Sequence, residues 1–161
     1  MLKQVKARQL KTAGARFAIV ASEYNGEYVN SMLRAALGVL RKAGAANTQV
    51  VRVPGAYEVP IAAARIARKA HENPAGERLG AVICLGVILR GETTHAAHIG
   101  EGVSRALMDL QLRYEIPMVH EVLLLENKEQ ARVRCLDKKH NRGVEAAQTA
   151  LAMAAVMRSI E

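Results

Sequence analysis

The segment Leu85-Gly-Val-Ile-Leu-Arg-Gly-Glu-Thr-Thr-His95 joins an apolar run to a stretch that is typical of a helix. In α/β proteins, such a junction between a strand and a helix lies at the carboxyl end of the strand, where these proteins bind their ligands. Gly91 lets the backbone turn, and the polar residues after it can cap a helix and present N–H groups to an anion. His95 then lies in the first helical turn and can carry a proton near neutral pH. The segment therefore predicts an enzyme that acts on a small phosphorylated molecule.

Apolar strands and amphipathic helices alternate along the rest of the chain. The predicted strands are 17–21, 50–53, 81–89 and 117–125, the predicted helices are 25–43, 57–69, 93–114, 127–136 and 143–160, and the predicted surface loop is 71–80. This alternation predicts an α/β three-layer sandwich of flavodoxin-like architecture, in which a mostly parallel four-stranded sheet is flanked by helices.

The length and the position of the first strand define the expected domain organisation. A chain of 161 residues favours one domain, and we expect residues 15–161 to form a single α/β domain. Residues 1–14 stand outside the alternation and are expected to form an N-terminal arm. The arm is either a frayed tail or a strand that is added to a neighbouring subunit, and we favour the strand.

The composition limits the classes of protein to consider. The chain is 50% hydrophobic, but no apolar run is long enough to span a bilayer, and the basic N-terminus lacks the apolar stretch of a signal peptide. Cys84 and Cys135 are isolated, so we expect neither a disulfide framework nor a metal site. The sequence therefore predicts a cytoplasmic, reduced protein that makes no membrane contact.

The net charge of +8 makes nucleic acid the first partner to test. The Lys and Arg residues form no consecutive basic block, and they do not alternate with aromatic residues as base stacking requires. The chain also lacks the GxGxxG, P-loop, GxSxG and HExxH motifs. We therefore expect an anionic metabolite and no nucleic acid as the partner, although a merely solvated basic surface fits the same charge.

The carboxyl ends of the four predicted strands meet at one edge of the sheet, and they bring Tyr24, Tyr57 and His95 together. The two tyrosines are either half-buried packing residues or a flat platform for a heterocycle. His95 is either a helix-terminal histidine without a partner or the proton carrier. His98 lies one turn further along the same helix and is the alternative base.

Arg134 and Arg142 bracket a basic stretch near the end of the chain. This stretch is either a solvated loop or part of a phosphate site. Arginine suits the second interpretation, because its planar guanidinium matches the oxygens of a phosphate.

Four motifs in order carry a resemblance to a known family. They are Phe17-Ala-Ile-Val-Ala-Ser-Glu-Tyr-Asn25, Val53-Pro-Gly-Ala-Tyr-Glu-Val-Pro60, Gly86-Val-Ile-Leu-Arg-Gly-Glu-Thr-Thr-His95 and Asn141-Arg-Gly-Val-Glu-Ala-Ala147. The chain resembles 6,7-dimethyl-8-ribityllumazine synthase, the penultimate enzyme of riboflavin biosynthesis. The resemblance implies the condensation of 5-amino-6-(D-ribitylamino)uracil with 3,4-dihydroxy-2-butanone 4-phosphate. Phosphate and water leave, no cofactor or metal takes part, and the product passes to riboflavin synthase.

The resemblance implies that one group of residues binds the aminouracil. Tyr24 is similar to the aromatic residue that stacks on the pyrimidine, and Asn25 is a supporting residue beside it. His120 stands where the family commonly has a phenylalanine from a neighbouring subunit, and an imidazole can still stack there. The other members of the group are Ala56, Tyr57, Glu58, Val87, Ile88 and Leu89.

A second group, also implied by the resemblance, holds the butanone phosphate and moves protons. Glu92 and Thr93 would bind the phosphate through backbone N–H groups, and Thr93 also through its hydroxyl. Arg134 is similar to the family's phosphate-binding arginine, and His95 matches the proton-transfer histidine. Arg142 falls where the family usually has a lysine near the substrate, and it is a supporting residue.

Other positions depart from the family pattern. Glu121 stands where a small residue is common, Thr94 replaces a frequent proline, and Ala96-Ala97 replaces a frequent pair of an aromatic and an acidic residue. These departures leave an alternative open, namely a non-catalytic flavin- or lumazine-binding module or a shell protein of the same fold. An electron carrier is disfavoured by the basic charge and the few aromatic residues.

The resemblance also implies a homo-oligomer that is built on pentamers, with the sites between adjacent subunits. A free pentamer, a decamer and an icosahedral shell all fit this expectation. The stretch 136–141 lacks the glycine that is often found there in shell formers, and this favours a free pentamer.

Overall fold

The computed structural model of the protein describes residues 11, 12, 14–45 and 47–161. The predicted N-terminal arm falls mostly on residues 1–10, which lie outside the described residues. Its pairing with a neighbouring subunit therefore stays a prediction.

Strands and helices alternate through the described part of the chain. The strands are β1 (Arg16–Ser22), β2 (Gln49–Val53), β3 (Leu79–Leu89) and β4 (Met118–Leu125). The helices are α1 (Gly26–Lys42), α2 (Val59–Glu72), α3 (His95–Tyr114), α4 (Lys128–Ala131) and α5 (Arg142–Ser159). A 3₁₀ turn (Ala56–Glu58) precedes α2, and a π-helical turn (Arg132–Leu136) follows α4.

The strands form one sheet in the order β2-β1-β3-β4, and every pairing in it is parallel. The predicted α/β fold with a four-stranded sheet is confirmed, and the sheet is wholly rather than mostly parallel. The central strand β3 pairs with β1 on one side and β4 on the other, and only its last residue, Leu89, is more than marginally accessible. Burial on both faces explains why this strand is a continuous apolar run.

The sheet separates two apolar cores. Ile19 and Ile83 face one side, where the strands pack against α1 and α5. Val20 and Val82 face the other side, where the strands pack against α2 and α3. The helices therefore cover both faces, and the predicted three-layer arrangement is confirmed.

The boundaries of some elements differ from the sequence prediction. The predicted loop 71–80 is a loop over residues 73–78 and is shortened at both ends, because α2 continues through Glu72 and β3 begins at Leu79. The ring of His71 lies edge-on to that of Tyr114 in α3, with 5.7 Å between the ring centroids, and this contact supports the last turn of α2.

The predicted helix 127–136 is helical over residues 128–136, but it changes type along its length. Only its first part is α-helical, and it then widens into the π turn, in which the N–H of Asp137 donates to the carbonyl of Arg132 at 3.2 Å. The Asn141 side chain donates to the carbonyl of Cys135 at 2.6 Å. A donor from outside the helix therefore satisfies a carbonyl of the π turn.

Helices α1 and α5 approach each other closely at Gly143. A Cβ atom at this position would collide with the backbone of Met32, so only glycine fits there. Asn141 caps α5 by accepting the N–H of Gly143 at 2.9 Å, and it donates to the hydroxyl of Ser31 in α1 at 3.1 Å. The start of α5 is thereby held against α1.

We expect Gly143→Ala to lower the free energy of unfolding by about 1–3 kcal/mol, because α5 must move away from α1 to admit the methyl group. Chemical denaturation followed by circular dichroism measures the change. Gly38→Ala in α1 is the matched control, since a Cβ there meets nothing within 4 Å. That variant should gain up to about 1 kcal/mol. Equal losses in the two variants would contradict the explanation.

Candidate active site

Asn25 ties the carboxyl end of β1 to the carboxyl end of β3. Its backbone is left-handed, with φ 55°, a conformation in which asparagine is enriched. Its side-chain amide donates to the carbonyl of Val87 at 2.7 Å, while the N–H of Tyr24 donates to Pro54 at 3.0 Å. These bonds hold the backbone of Tyr24 between the ends of β2 and β3, and its side chain is exposed (76%). A flat ring is therefore available for stacking at this edge.

The turn after β2 brings a second tyrosine to the same edge. The carboxylate of Glu58 accepts the N–H of Gly55 at 2.9 Å and so closes the turn. Ala56 is buried next to Gly86 of β3, where a Cβ would lie 3.5 Å from the Ala56 methyl group. Tyr57 is exposed (66%), and its ring lies near α3.

The loop between β3 and α3 carries the predicted proton carrier. The residues from Arg90 to His95 are all exposed, and His95 is the first residue of α3. Its N–H donates weakly to the Thr93 hydroxyl, at 3.4 Å. The first N–H groups of a helix have no acceptor within the helix, so this end of α3, which begins at His95, can hold an anion. Arg90 ties the loop to the end of β4 through an ion pair with Glu126 at 3.1 Å.

His120 lies near the start of β4, away from the carboxyl ends of the strands. Its Nδ1 accepts the N–H of Val122 at 3.2 Å, so the proton of the neutral ring is on Nε2. Nε2 lies 2.8 Å from the hydroxyl of Ser104, which in turn donates to the carbonyl of Gly100 at 2.8 Å. The ring is therefore fixed in orientation against α3, and the loss of water around it lowers its pKa below the ordinary value of 6.5.

Glu121 points to the opposite face of the sheet from His120 and meets the start of α5. Its carboxylate accepts two N–H groups of Arg142, at 2.7 and 3.1 Å, and only 7% of the side chain is exposed. Arg134 is exposed in the π turn, and its charge also acts on Glu121. Burial raises the pKa of Glu121, and the two arginines oppose this rise. Burial also raises the pKa of the neighbouring Cys135 to about 11, so it remains a thiol.

The predicted site residues thus fall into two groups in one protomer. The first group, at the carboxyl ends of the strands, contains Tyr24, Asn25, Ala56, Tyr57, Glu58, Val87, Ile88, Leu89, Glu92, Thr93 and His95. The second group contains Arg134 and Arg142 around Glu121, while His120 lies apart from both groups, against α3 on the opposite face of the sheet. Within the described residues, no hydrogen bond, ion pair or electrostatic interaction joins His95 to Arg134.

The structure also shows two hydroxyls near these groups that the sequence did not single out. Ser22 at the end of β1 is buried, and its hydroxyl has no hydrogen-bond partner among the described residues. It lies next to Gly86, where a Cβ would come within 3.3 Å of it. Ser104 is the partner of His120. No local pattern marks either residue, because strand pairing and helix packing supply their neighbours.

Among residues 11, 12, 14–45 and 47–161, no group of three or more His, Cys, Asp or Glu side chains could hold a metal ion. None of the helices in these described residues is long and apolar enough to cross a membrane.

The fold and the site together define a parallel α/β protein with a candidate ligand site at the carboxyl ends of its strands. The family model for 6,7-dimethyl-8-ribityllumazine synthase matches residues 14–158. The chain is 36% identical over 159 residues to the 6,7-dimethyl-8-ribityllumazine synthase of Aquifex aeolicus (strain VF5), covering 98% of this chain and 99% of the relative. It is 38% identical over 141 residues to that of Stenotrophomonas maltophilia (strain R551-3), covering 86% of each. The chain therefore belongs to the 6,7-dimethyl-8-ribityllumazine synthase family.

The lowered pKa of His120 predicts a pH dependence of stability. Between that pKa and 6.5 the unfolded chain binds more protons than the folded one, so stability should rise with pH in this window. We expect His120→Gln to remove this contribution, so that the wild type gains stability relative to the variant as the pH rises to 6.5. Urea unfolding of both proteins from about pH 5 to pH 8 measures the difference. A difference that does not change with pH would contradict the assignment.

Proposed function

We propose that this protein condenses 5-amino-6-(D-ribitylamino)uracil with 3,4-dihydroxy-2-butanone 4-phosphate to give 6,7-dimethyl-8-ribityllumazine, phosphate and water. Membership of the family over residues 14–158 supports this reaction, and the curated relatives are named for it. One structural observation carries the proposal: exposed tyrosine rings lie at the same sheet edge as the helix terminus that begins with His95. No observation on the described residues favours the non-catalytic alternative.

The chemistry needs few protein groups. An amine of the aminouracil attacks the ketone of the second substrate, water and phosphate leave, and the ring closes. Each step moves a proton, and His95 is the group that we propose for this task, since it lies exposed at the start of α3. Much of the remaining rate enhancement would come from holding two reactive molecules in the correct orientation.

The two substrates would occupy different parts of the sheet edge. The aminouracil would stack on Tyr24 and meet the backbone of Val87 to Leu89, a stretch that Asn25 fixes through its bond to the carbonyl of Val87. The butanone phosphate would lie at the start of α3, where Thr93 and the N–H groups of the first turn face an anion favourably. Arg134 would supply the cation.

We propose that Arg134 reaches this site from a neighbouring subunit, since no hydrogen bond or ion pair joins it to His95 within the described residues of one protomer. We propose a homo-oligomer that is built on pentamers, with each site completed by His120 and Arg134 of the adjacent copy. Large exposed apolar side chains on α2 and α3 support a covered surface there, and they are Ile61 (74%), Met108 (53%) and Leu112 (70%). The same proposal places the enzyme in the cytoplasm, with its product passing to riboflavin synthase.

His95→Ala should lower kcat by about 10²–10⁴-fold, the usual contribution of a positioned acid–base group, without changing the fold. The absorbance of the lumazine product measures turnover, and circular dichroism checks folding. His71→Ala is the matched control, because it removes the same ring from the far end of α2. Full turnover by His95→Ala together with a large loss in His98→Ala would move the proton transfer to His98.

Arg134→Ala should raise the KM for the butanone phosphate about 10- to 100-fold, because a charged hydrogen bond to the phosphate is lost. The KM for the aminouracil should change little. Arg132→Ala is the matched control, since Arg132 is exposed in the same turn and is paired with Glu129 at 2.7 Å. Equal rises in the two KM values would show that Arg134 does not contact the phosphate.

A further inference from the structure

Glu121 and Arg142 form an ion pair that closes one edge of the guanidinium. Nε of Arg142 donates to one carboxylate oxygen of Glu121 at 3.1 Å, and Nη2 donates to the other at 2.7 Å. Such a pair of parallel bonds is the strongest arrangement that arginine makes with a carboxylate. Both residues are departures from the family pattern, and they meet across two elements of the fold.

A second carboxylate engages the same arginine. Nη1 of Arg142 donates to Glu145, one turn further along α5, at 2.5 Å. Arg142 is therefore held by two acidic side chains at once, and Glu121 raises the pKa of its guanidinium further. The charge of Arg142 is compensated within the protein.

Arg134 differs from Arg142 in its surroundings. It is exposed, and it makes no hydrogen bond or ion pair within the part of the chain that the structure describes. Its charge acts on Glu121, so the two arginines share this carboxylate as a neighbour. The cluster of Glu121, Arg134, Arg142 and Glu145 contains equal numbers of positive and negative groups.

We propose that Glu121 lowers the affinity of the site for phosphate, because it neutralises Arg142 and leaves Arg134 as the cation of this cluster that is available to phosphate. This inference rests on the proposed function, in which Arg134 binds the butanone phosphate. Without Glu121, Arg142 would keep its bond to Glu145 but could offer its Nε and Nη2 groups to the same phosphate group as Arg134, and phosphate would bind more tightly. Glu121 therefore keeps phosphate binding weak enough for the released phosphate to leave.

Binding of inorganic phosphate to the assembled protein tests the proposal. Isothermal titration calorimetry at low salt compares the wild type with Glu121→Gln, which keeps the shape of the side chain and removes its charge. We expect Glu121→Gln to bind phosphate roughly 5-fold more tightly, the effect of one unit charge at close range in a largely solvated site. In turnover assays, inhibition by inorganic phosphate should strengthen by a similar factor.

Control variants separate this effect from a general change in charge. Glu129→Gln removes an exposed carboxylate that is paired with Arg132, and it should leave phosphate affinity unchanged. The double variant Glu121→Gln/Arg142→Met should lose the gain, because the arginine that was released is gone. A gain that persists in the double variant would overturn the proposal, as would unchanged or weaker phosphate binding by Glu121→Gln.

Native mass and thermal unfolding check that each variant assembles. Should Glu121→Gln fail to assemble, Glu145→Gln decides, since it removes the other carboxylate from Arg142. It should tighten phosphate binding by a smaller factor, and an unchanged or weaker affinity would overturn the inference. The proposed function is tested separately, by the formation of lumazine from the two substrates. If the wild type forms no lumazine, the synthase activity is contradicted. The role of Glu121 in phosphate binding still stands in that case, provided that Glu121→Gln binds phosphate more tightly than the wild type.

Discussion

The position of β3 in the middle of the sheet is the constraint on which the rest of the structure depends. It pairs with β1 and β4 along its length, and its side chains enter both cores. Gly86 lies in this strand beside Ser22, Ala56 and Val122, and a Cβ there would lie 3.1 Å from the Val122 side chain. The packing of β3 therefore sets where β1, the turn after β2 and the loop before α3 meet, and this meeting point is the candidate site.

A second close contact orients the other half of the site. Gly143 lets α5 lie against the backbone of α1. The side chain of Asn141 accepts the N–H of Gly143 and donates to the carbonyl of Cys135 in the π turn, so it links the two elements. Arg134 lies in that turn, and Arg142 opens α5 directly after Asn141. The geometry of both arginines therefore depends on how closely two helices pack, and not only on local chemistry. Within the described residues of one protomer, no hydrogen bond or ion pair joins either arginine to His95, and the proposed function has Arg134 and His95 meet across a subunit boundary.

The polar side chains of β4 are explained by the residues with which they pair. Glu121 alone places a carboxylate in a buried strand, which is costly unless a cation compensates it, and Arg142 is that cation. His120 places a titratable ring on the same strand; its bonds to Val122 and Ser104 fix the orientation of the ring, and burial lowers its pKa. A flat, oriented ring is thus retained at this position, although its stacking on a pyrimidine remains a proposal.

The sequence by itself determined the strands, the main helices, the sheet of four strands and the family, because periodicity and contiguous motifs are local properties of the chain. It also predicted the residues of the strand ends, since parallel strands bring their carboxyl ends to one edge. Only the tertiary structure decided that Arg142 is paired with Glu121, that His120 is bonded to Ser104, and that the helix after β4 ends in a π turn. These contacts join residues from different elements, and their geometry follows from helix and strand packing, which no local pattern encodes.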